Sequence, residues 1–339
     1  MRFLVAFASL LLLVPACTRS EVSADTAENV AAEGFPLTIE NCGREVVIEA
    51  PPQRAVALNQ GSAEILLSLG LADRMVGTAT WTDPVLPALA EDNARVPRLA
   101  ENKPSLETVL DGAPDFVSAS FGGTLGPGGV ADRDQFERLG VPTYLAPSDC
   151  VGKISVNEDG ARTIPLTMDT IYSEIRDLAA IFDVRDRGEE LVTELQGRME
   201  QATATPADAD LVFWFSDLRA PYMAGCCGAS GVIAGAVGAR NVFADTNEEW
   251  PQVSWEAVAE RDPDAFVLAD LSRRTIDGDA LDTKIDFLES HPVTSRMTAV
   301  REGRYLVVSG ADLNPSIRTV DGAEKVADGL RRLGMTSGG

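Results

Sequence analysis

The side chains able to do chemistry in this chain are few. Five cysteines and one histidine make up the whole stock of soft or imidazole ligands. Cys17 stands apart near the start. Cys42, Cys150, Cys226 and Cys227 remain for disulfide or metal chemistry, and four cysteines allow three pairings. A metal site is the weaker reading, because no CxxC pair exists and His291, in Ser290-His-Pro, reads as a helix-end residue. Pairing Cys42 with Cys150 would pin the start of the first half of the chain to its end. The adjacent Cys226 and Cys227 would then form a vicinal disulfide or stay reduced. Nucleophile elbows and phosphate-binding glycine loops are missing, and Asp169, Asp217 and Asp312 lack partners that would make them acids or bases. The sequence therefore offers binding chemistry, not catalysis. Tryptophans and arginines in loops are what a protein uses to hold a flat or anionic ligand.

The N-terminus sets the compartment. Arg2, an apolar run from Phe3 to Val14 and the small residue Ala16 make a secretory signal too short to span a bilayer comfortably. Val14-Pro15-Ala16-Cys17 resembles a bacterial lipobox, in which the cysteine is lipidated; the alternative is an ordinary signal with Cys17 incidental. Residues 18–34 have neither aromatics nor apolar periodicity, so a disordered tether is expected there. Export also makes disulfides permissible. The formal net charge is -23, and Arg2 is the one charged residue before Cys17, so the exported part is more acidic still. Such charge disfavours nucleic acid and anionic membrane surfaces as partners. What remains after the signal, about 320 residues, exceeds the size of a single ordinary core, so two lobes are expected.

The elements that must position these residues follow from periodicity. Phe35 to Glu49 alternates about Asn41-Cys42-Gly43, a β-hairpin pattern. Ala55-Val-Ala-Leu58 is a short buried strand, and Ser62 is placed to cap a helix over 63–69. Strands at 74–79, 116–120 and 142–145 alternate with helices at 104–110 and 134–139, which implies βα units and a mainly parallel sheet. Two helical stretches, 166–182 and 188–199, follow with no strand between them. Strands at 211–215, 265–268 and 305–308, with helices at 231–237, 255–260 and 320–333, then repeat the first pattern. The expected class is α/β: two lobes, each with a mainly parallel sheet flanked by helices, joined by a helical backbone. The expected boundaries are a signal at 1–17, a tether at 18–34, an N-terminal lobe at 35–165, a helical connection at 166–205 and a C-terminal lobe at 206–339.

The two halves carry matching segments. Pro104-Ser-Leu-Glu107 leads through a helix to Pro114-Asp115-Phe-Val, and Val253-Ser-Trp-Glu256 leads to Pro263-Asp264-Ala-Phe-Val. With Ala55-Val-Ala-Leu and Ala63-Glu-Ile-Leu-Leu-Ser-Leu-Gly, this pattern resembles the periplasmic binding proteins for iron-siderophores, haem and vitamin B12, over roughly 35–333. The resemblance implies ligand held between two lobes, limited hinge movement, and delivery to an ABC permease dimer with its ATPase. It implies that Glu107 and Glu256 dock onto arginines of the permease; the dipole of their helices is the plainer explanation of either one alone. It places Trp81 as a ligand-facing aromatic, and Trp250, in Glu249-Trp-Pro-Gln, is similar to a tryptophan that packs on the corrin. Phe121 and Tyr222 are weaker candidates in matching post-strand loops. Arg98, Arg219 and Arg318 are candidates for an anionic chelate, against surface ion pairing as the alternative. The expected ligand is a ferric chelate whose iron comes with it, so no cofactor or protein-held metal is expected; a cobamide or haem is the alternative. The protein is expected to be monomeric, attached to the cell membrane through lipid on Cys17 and facing outward.

Overall fold

The structure is a computed structural model and describes residues 34–154 and 160–336. The signal, Cys17 and the tether up to residue 33 lie outside the described residues.

The chain opens with the hairpin β1 (Leu37–Glu40) and β2 (Glu45–Ile48), paired antiparallel with Glu40 opposite Glu45. Its turn places Cys42 at φ 55 and Gly43 at φ 76, left-handed backbone that glycine adopts freely. Next come β3 (Ala55–Ala57), α1 (Gln60–Ser68), β4 (Met75–Ala79), α2 (Ala90–Arg95), β5 (Arg98–Ala100), α3 (Leu106–Asp111), β6 (Phe116–Ala119), α4 (Arg133–Arg138) and β7 (Thr143–Leu145). The five strands from β3 to β7 form one parallel sheet in the order β5-β4-β3-β6-β7. Both faces are covered, so β3 and β6 are buried along their whole length; β3 is wholly apolar, and Ser118 is the one polar residue of β6.

A short antiparallel pair, β8 (Lys153–Ile154) and β9 (Ala161–Arg162), follows. The helices α5 (Met168–Ile181) and α6 (Arg185–Thr203) come next. Ile171, Ile175 and Leu178 of α5 enter the core of the first lobe. The second sheet is then built from β10 (Asp210–Trp214), β11 (Arg240–Asn241), β12 (Ala265–Asp270) and β13 (Tyr305–Ser309), all parallel, in the order β11-β10-β12-β13. Around it lie α7 (Ala229–Ala236), α8 (Trp255–Arg261), α9 (Leu281–Ser290), α10 (Thr298–Arg301) and α11 (Arg318–Arg332). The α/β class with two parallel sheets is as expected from the sequence.

Three local expectations need correction. Ser62 does not cap α1. That helix starts at Gln60 after Asn59, and Ser62 sits inside it, hydrogen-bonded through its hydroxyl to Ser120 at 3.0 Å. Asn59 precedes the helix without capping it, its side chain accepting instead from the Ser120 backbone N–H at 2.9 Å. The last helix begins at Arg318, two residues before its apolar stripe. The helix α9 has no counterpart among the expected elements, because its buried face includes Lys284, whose ammonium donates to the backbone carbonyls of Ala269 and Asp279.

Both disulfides are present. Cys42 is bonded to Cys150, with Cα atoms 5.7 Å apart, and Cys226 to Cys227.

Candidate functional site

In an open parallel sheet, ligands gather at the carboxyl ends of the strands where the winding direction reverses. In the first lobe that reversal falls between β3 and β6, which are neighbours although α1, β4, α2, β5 and α3 separate them in sequence. The segments leaving those strands are Asn59-Gln60-Gly61 and Ser120-Phe121. In the second lobe the reversal falls between β10 and β12, and the departing segments are Phe215-Ser216-Asp217 and Leu271-Ser272-Arg273. The first set lines a crevice whose other wall is Ala311, Asn314, Pro315, Ser316 and Arg318 of the second lobe, and from the second set Ser272 contacts the first lobe at Asp83.

Its floor is a buried polar network. The Glu64 carboxylate, fully buried on α1, accepts from Arg318 Nε at 2.7 Å and again from its Nη2. Glu64 also accepts from Gln60 Nε2 at 3.2 Å and the Leu86 N–H at 3.1 Å. Burial works against the Arg318 charge, but Glu64 outweighs it and holds the guanidinium above its ordinary range. The Gln60 carbonyl oxygen accepts from the backbone of Thr82 and Asp83. Asp83 then reaches across to the second lobe, accepting from Ser272 N at 3.2 Å and Ala311 N at 2.7 Å. The Ser272 hydroxyl returns the contact by donating to the Thr82 carbonyl at 2.6 Å. Gly310 is needed at this seam, because a Cβ there would overlap Leu271 and come within 3.2 Å of Asp83.

Above this floor the crevice is lined by Asn59, Gly61, Thr80, Phe121, Asn314 and Pro315 and holds about 40 Å³. That suits a water molecule or two, whereas small-molecule pockets run to about 300–1,000 Å³.

Two arginine-on-aromatic stacks flank the Asp83–Ser272 contact. On the first lobe, the Arg98 guanidinium lies 4.5 Å from the centroid of Trp81. On the second, Arg273 lies 5.6 Å over Phe215, whose ring packs at 5.0 Å on Trp250. Arg273 also pairs with the buried carboxylate of Asp279 at 3.2 Å.

The candidate residues separate accordingly. Phe121 leaves β6 at the crevice and is 37% exposed. Trp250 is half-buried beside Phe215. Trp81 is not the exposed aromatic expected: it is 7% exposed, lies under Arg98, and donates through Nε1 to Thr78. Arg98 sits on the edge strand β5 and pairs with Glu101 at 3.1 Å. Arg318 faces the crevice, but its charge is committed to Glu64. Arg219 is exposed in a turn closed by Asp217, which accepts from the Arg219 and Ala220 N–H groups. Tyr222 is half-buried and bridges Gln252 through its backbone. Sequence reasoning missed Gln60, Glu64, Phe215, Ser272 and Arg273. The strand-end rule applied to β10 and β12 would have found Phe215 and Arg273.

Glu107 and Glu256 occupy the same position in their helices. Each follows a serine cap by two residues: Ser105 accepts from Thr108 N at 3.1 Å, and Ser254 from Ala257 N at 3.1 Å. Both carboxylates are exposed. Since α3 and α8 follow parallel strands, their N-termini lie toward the carboxyl-end side of the two sheets.

The model of the periplasmic binding protein family matches residues 56–309, and the chain belongs to that family. A vitamin B12-binding protein of Vibrio campbellii is 23% identical over 218 residues, 64% of this chain and 70% of that one. The ABC transporter substrate-binding lipoprotein YvrC of Bacillus subtilis is 22% identical over 331 residues, 94% of this chain and 93% of that one. Among solved structures, an ABC-type Fe3+-hydroxamate transport system protein from Saccharomonospora viridis is 28% identical, covers 87% of this chain and 99% of its own, and superposes with a TM-score of 0.69. The family expected from the sequence is thus the family found. The protein is an extracytoplasmic binding protein and not an enzyme.

Proposed function

We propose that this protein captures a ferric chelate of the siderophore type between its lobes and delivers it to an ABC permease dimer powered by its ATPase. The observation that carries this reading is the pair of arginine-on-aromatic stacks beside the inter-lobe contact. Arg98 is paired with Glu101 and Arg273 with Asp279, but each guanidinium stays about a third exposed over its ring, a flat surface suited to the oxygen-rich faces of a chelate. The likeness to the Fe3+-hydroxamate protein supports the same ligand class. Iron arrives inside the chelate, so the protein needs no cofactor of its own. The second reading, a cobamide or haem, rests on the half-buried Trp250 and on the B12-binding relatives. Glu107 and Glu256 serve as the contacts to the two permease subunits, and the protein works as a monomer. Lipid on Cys17 is the proposed membrane attachment; Cys17→Ser should release the chain to the soluble fraction after a salt wash.

Tryptophan fluorescence tests the ligand. Titration with ferric hydroxamates, ferric catecholates, cobalamin, cobinamide and haemin should show saturable quenching by a ferric siderophore. Saturation by cobalamin or haemin at lower concentration than by any ferric chelate would overturn the ferric reading.

A further inference from the structure

The guanidiniums around the crevice are each matched by a carboxylate. Arg98, over Trp81, donates through Nη1 to both oxygens of Glu101, at 3.1 and 3.4 Å. Arg273, over Phe215, donates through Nε and Nη2 to the two oxygens of Asp279, at 3.2 and 3.3 Å. Arg318 is matched by Glu64, and Arg274, next to Arg273, pairs with Asp270 at 2.9 Å. Of the exposed cations in neighbouring loops, Lys103 is turned to the Gly128 carbonyl and Arg219 shares its turn with the Asp217 carboxylate. Asp83 has no cation of its own: among the described residues it takes only the backbone N–H groups of Ser272 and Ala311. Around the crevice the carboxylates therefore at least equal the cations. The chain as a whole carries a formal charge of -23, and a field of that sign repels anions at long range.

The Asp279 pairing is fixed. Its side chain is 1% exposed and also accepts from the N–H groups of Thr275 and Ile276, both at 2.8 Å. Burial works against its charge, but Arg273 and those two N–H groups outweigh it and hold the carboxyl below its ordinary range. A carboxylate held at so many points does not swing aside when a ligand arrives. A trianion laid on the Arg273–Phe215 stack would face Asp279 behind a guanidinium whose charge is already cancelled. A chelate without net charge meets no such repulsion. It still gains contact with the stacks, and hydrogen bonds from the guanidinium nitrogens turned away from the carboxylates, Nε and Nη2 of Arg98 and Nη1 of Arg273.

We infer that Glu101 and Asp279 are specificity-determining residues, which neutralise the two arginine-on-aromatic stacks and select ferric chelates without net negative charge. The inference rests on the ferric-chelate reading and narrows it. Three hydroxamate monoanions cancel the charge of ferric iron, whereas three catecholate dianions leave a trianion. The preferred class is therefore the trihydroxamate. Charge placed in this way acts chiefly against the wrong partner, by like-charge juxtaposition.

The test compares ferrichrome, a neutral trihydroxamate complex, with ferric enterobactin, a trianionic catecholate complex, by tryptophan-fluorescence titration of the full-length protein in detergent, with cobalamin and haemin alongside. The unsubstituted protein should bind ferrichrome about tenfold or more tightly, and added salt should narrow that ratio by screening the trianion. Glu101→Gln and Asp279→Asn should each shift the ratio of the two affinities toward ferric enterobactin, by about tenfold in the double variant. Glu101 is exposed, so Glu101→Gln decides the matter if Asp279→Asn does not fold. Equal or tighter binding of ferric enterobactin by the unsubstituted protein, or an unchanged ratio in folded Glu101→Gln protein, would overturn this inference and leave the ferric reading standing. Tighter binding of cobalamin or haemin than of either ferric chelate would overturn both.

Discussion

Replacing Glu174 by glutamine should stabilise the protein, and more so as pH rises. Glu174 lies on α5 against the first lobe's core, 2% exposed. Burial first, and then the neighbouring charge of Asp177, push its carboxyl from 4.5 up to about 8. Asp177 is itself engaged by the Tyr144 hydroxyl, which donates to it at 2.9 Å. A carboxyl held neutral in the fold but ionised in the unfolded chain weakens folding as pH rises. The cost is absent below about pH 4.5, grows between 4.5 and 8, and is complete above about 8. At about 1.4 kcal/mol per unit, it amounts to roughly 2 kcal/mol at pH 6 and roughly 5 kcal/mol at pH 9. Glutamine fills the same space, has a similar helix propensity and does not titrate. Urea unfolding of both proteins at pH 6 and pH 9 therefore should show the stability gap widening by about 3 kcal/mol in favour of Glu174→Gln. A gap that stays constant between the two pH values would mean that Glu174 is ionised and solvated in the fold, and the burial argument would fail.

Arg318→Met should cost about 3–5 kcal/mol in urea unfolding, since it strands the buried Glu64 carboxylate, and the double variant with Glu64→Leu should recover most of that loss; equal stability of the single variant and the parent would refute the pairing. Reduction-proof Cys42→Ser, Cys150→Ser protein should unfold more easily by up to about 4–5 kcal/mol, the chain-entropy value for a closed loop of this length, read as a lower Tm and urea midpoint. Glu107→Ala combined with Glu256→Ala should abolish most uptake while leaving ligand affinity unchanged and stability within about 1 kcal/mol per site, the helix-dipole contribution. Normal uptake by that double variant would remove the docking role, and lost ligand binding in folded protein would move the two residues into the crevice.

Much of the architecture was legible in the sequence because it depends on local pattern. Period-two and period-3.6 apolar spacing marked most of the strands and helices, and the doubled Ser-x-Glu and Pro-Asp segments disclosed two related lobes. The Ser105 and Ser254 caps are local features of the same kind, since each serine bonds to a backbone N–H only three residues on. Even the Cys42–Cys150 pairing followed from where the two residues stand along the chain. Local pattern failed where a distant partner satisfies a side chain. Ser62 looked like a cap, but Ser120, 58 residues away, takes its hydroxyl. Lys284 broke the apolar face of α9, yet the Ala269 carbonyl of β12 solvates it. Trp81 falls in a loop, where an exposed aromatic would serve binding, yet its ring joins the first lobe's core and Arg98 of the edge strand lies over it. The sequence by itself determined the α/β alternation and the family, both of which rest on short-range spacing. Tertiary structure alone decided which charges are free to meet a ligand, because the partners of Arg318 and Asp83 come from the opposite lobe, and such pairings depend on how two separately wound sheets face each other.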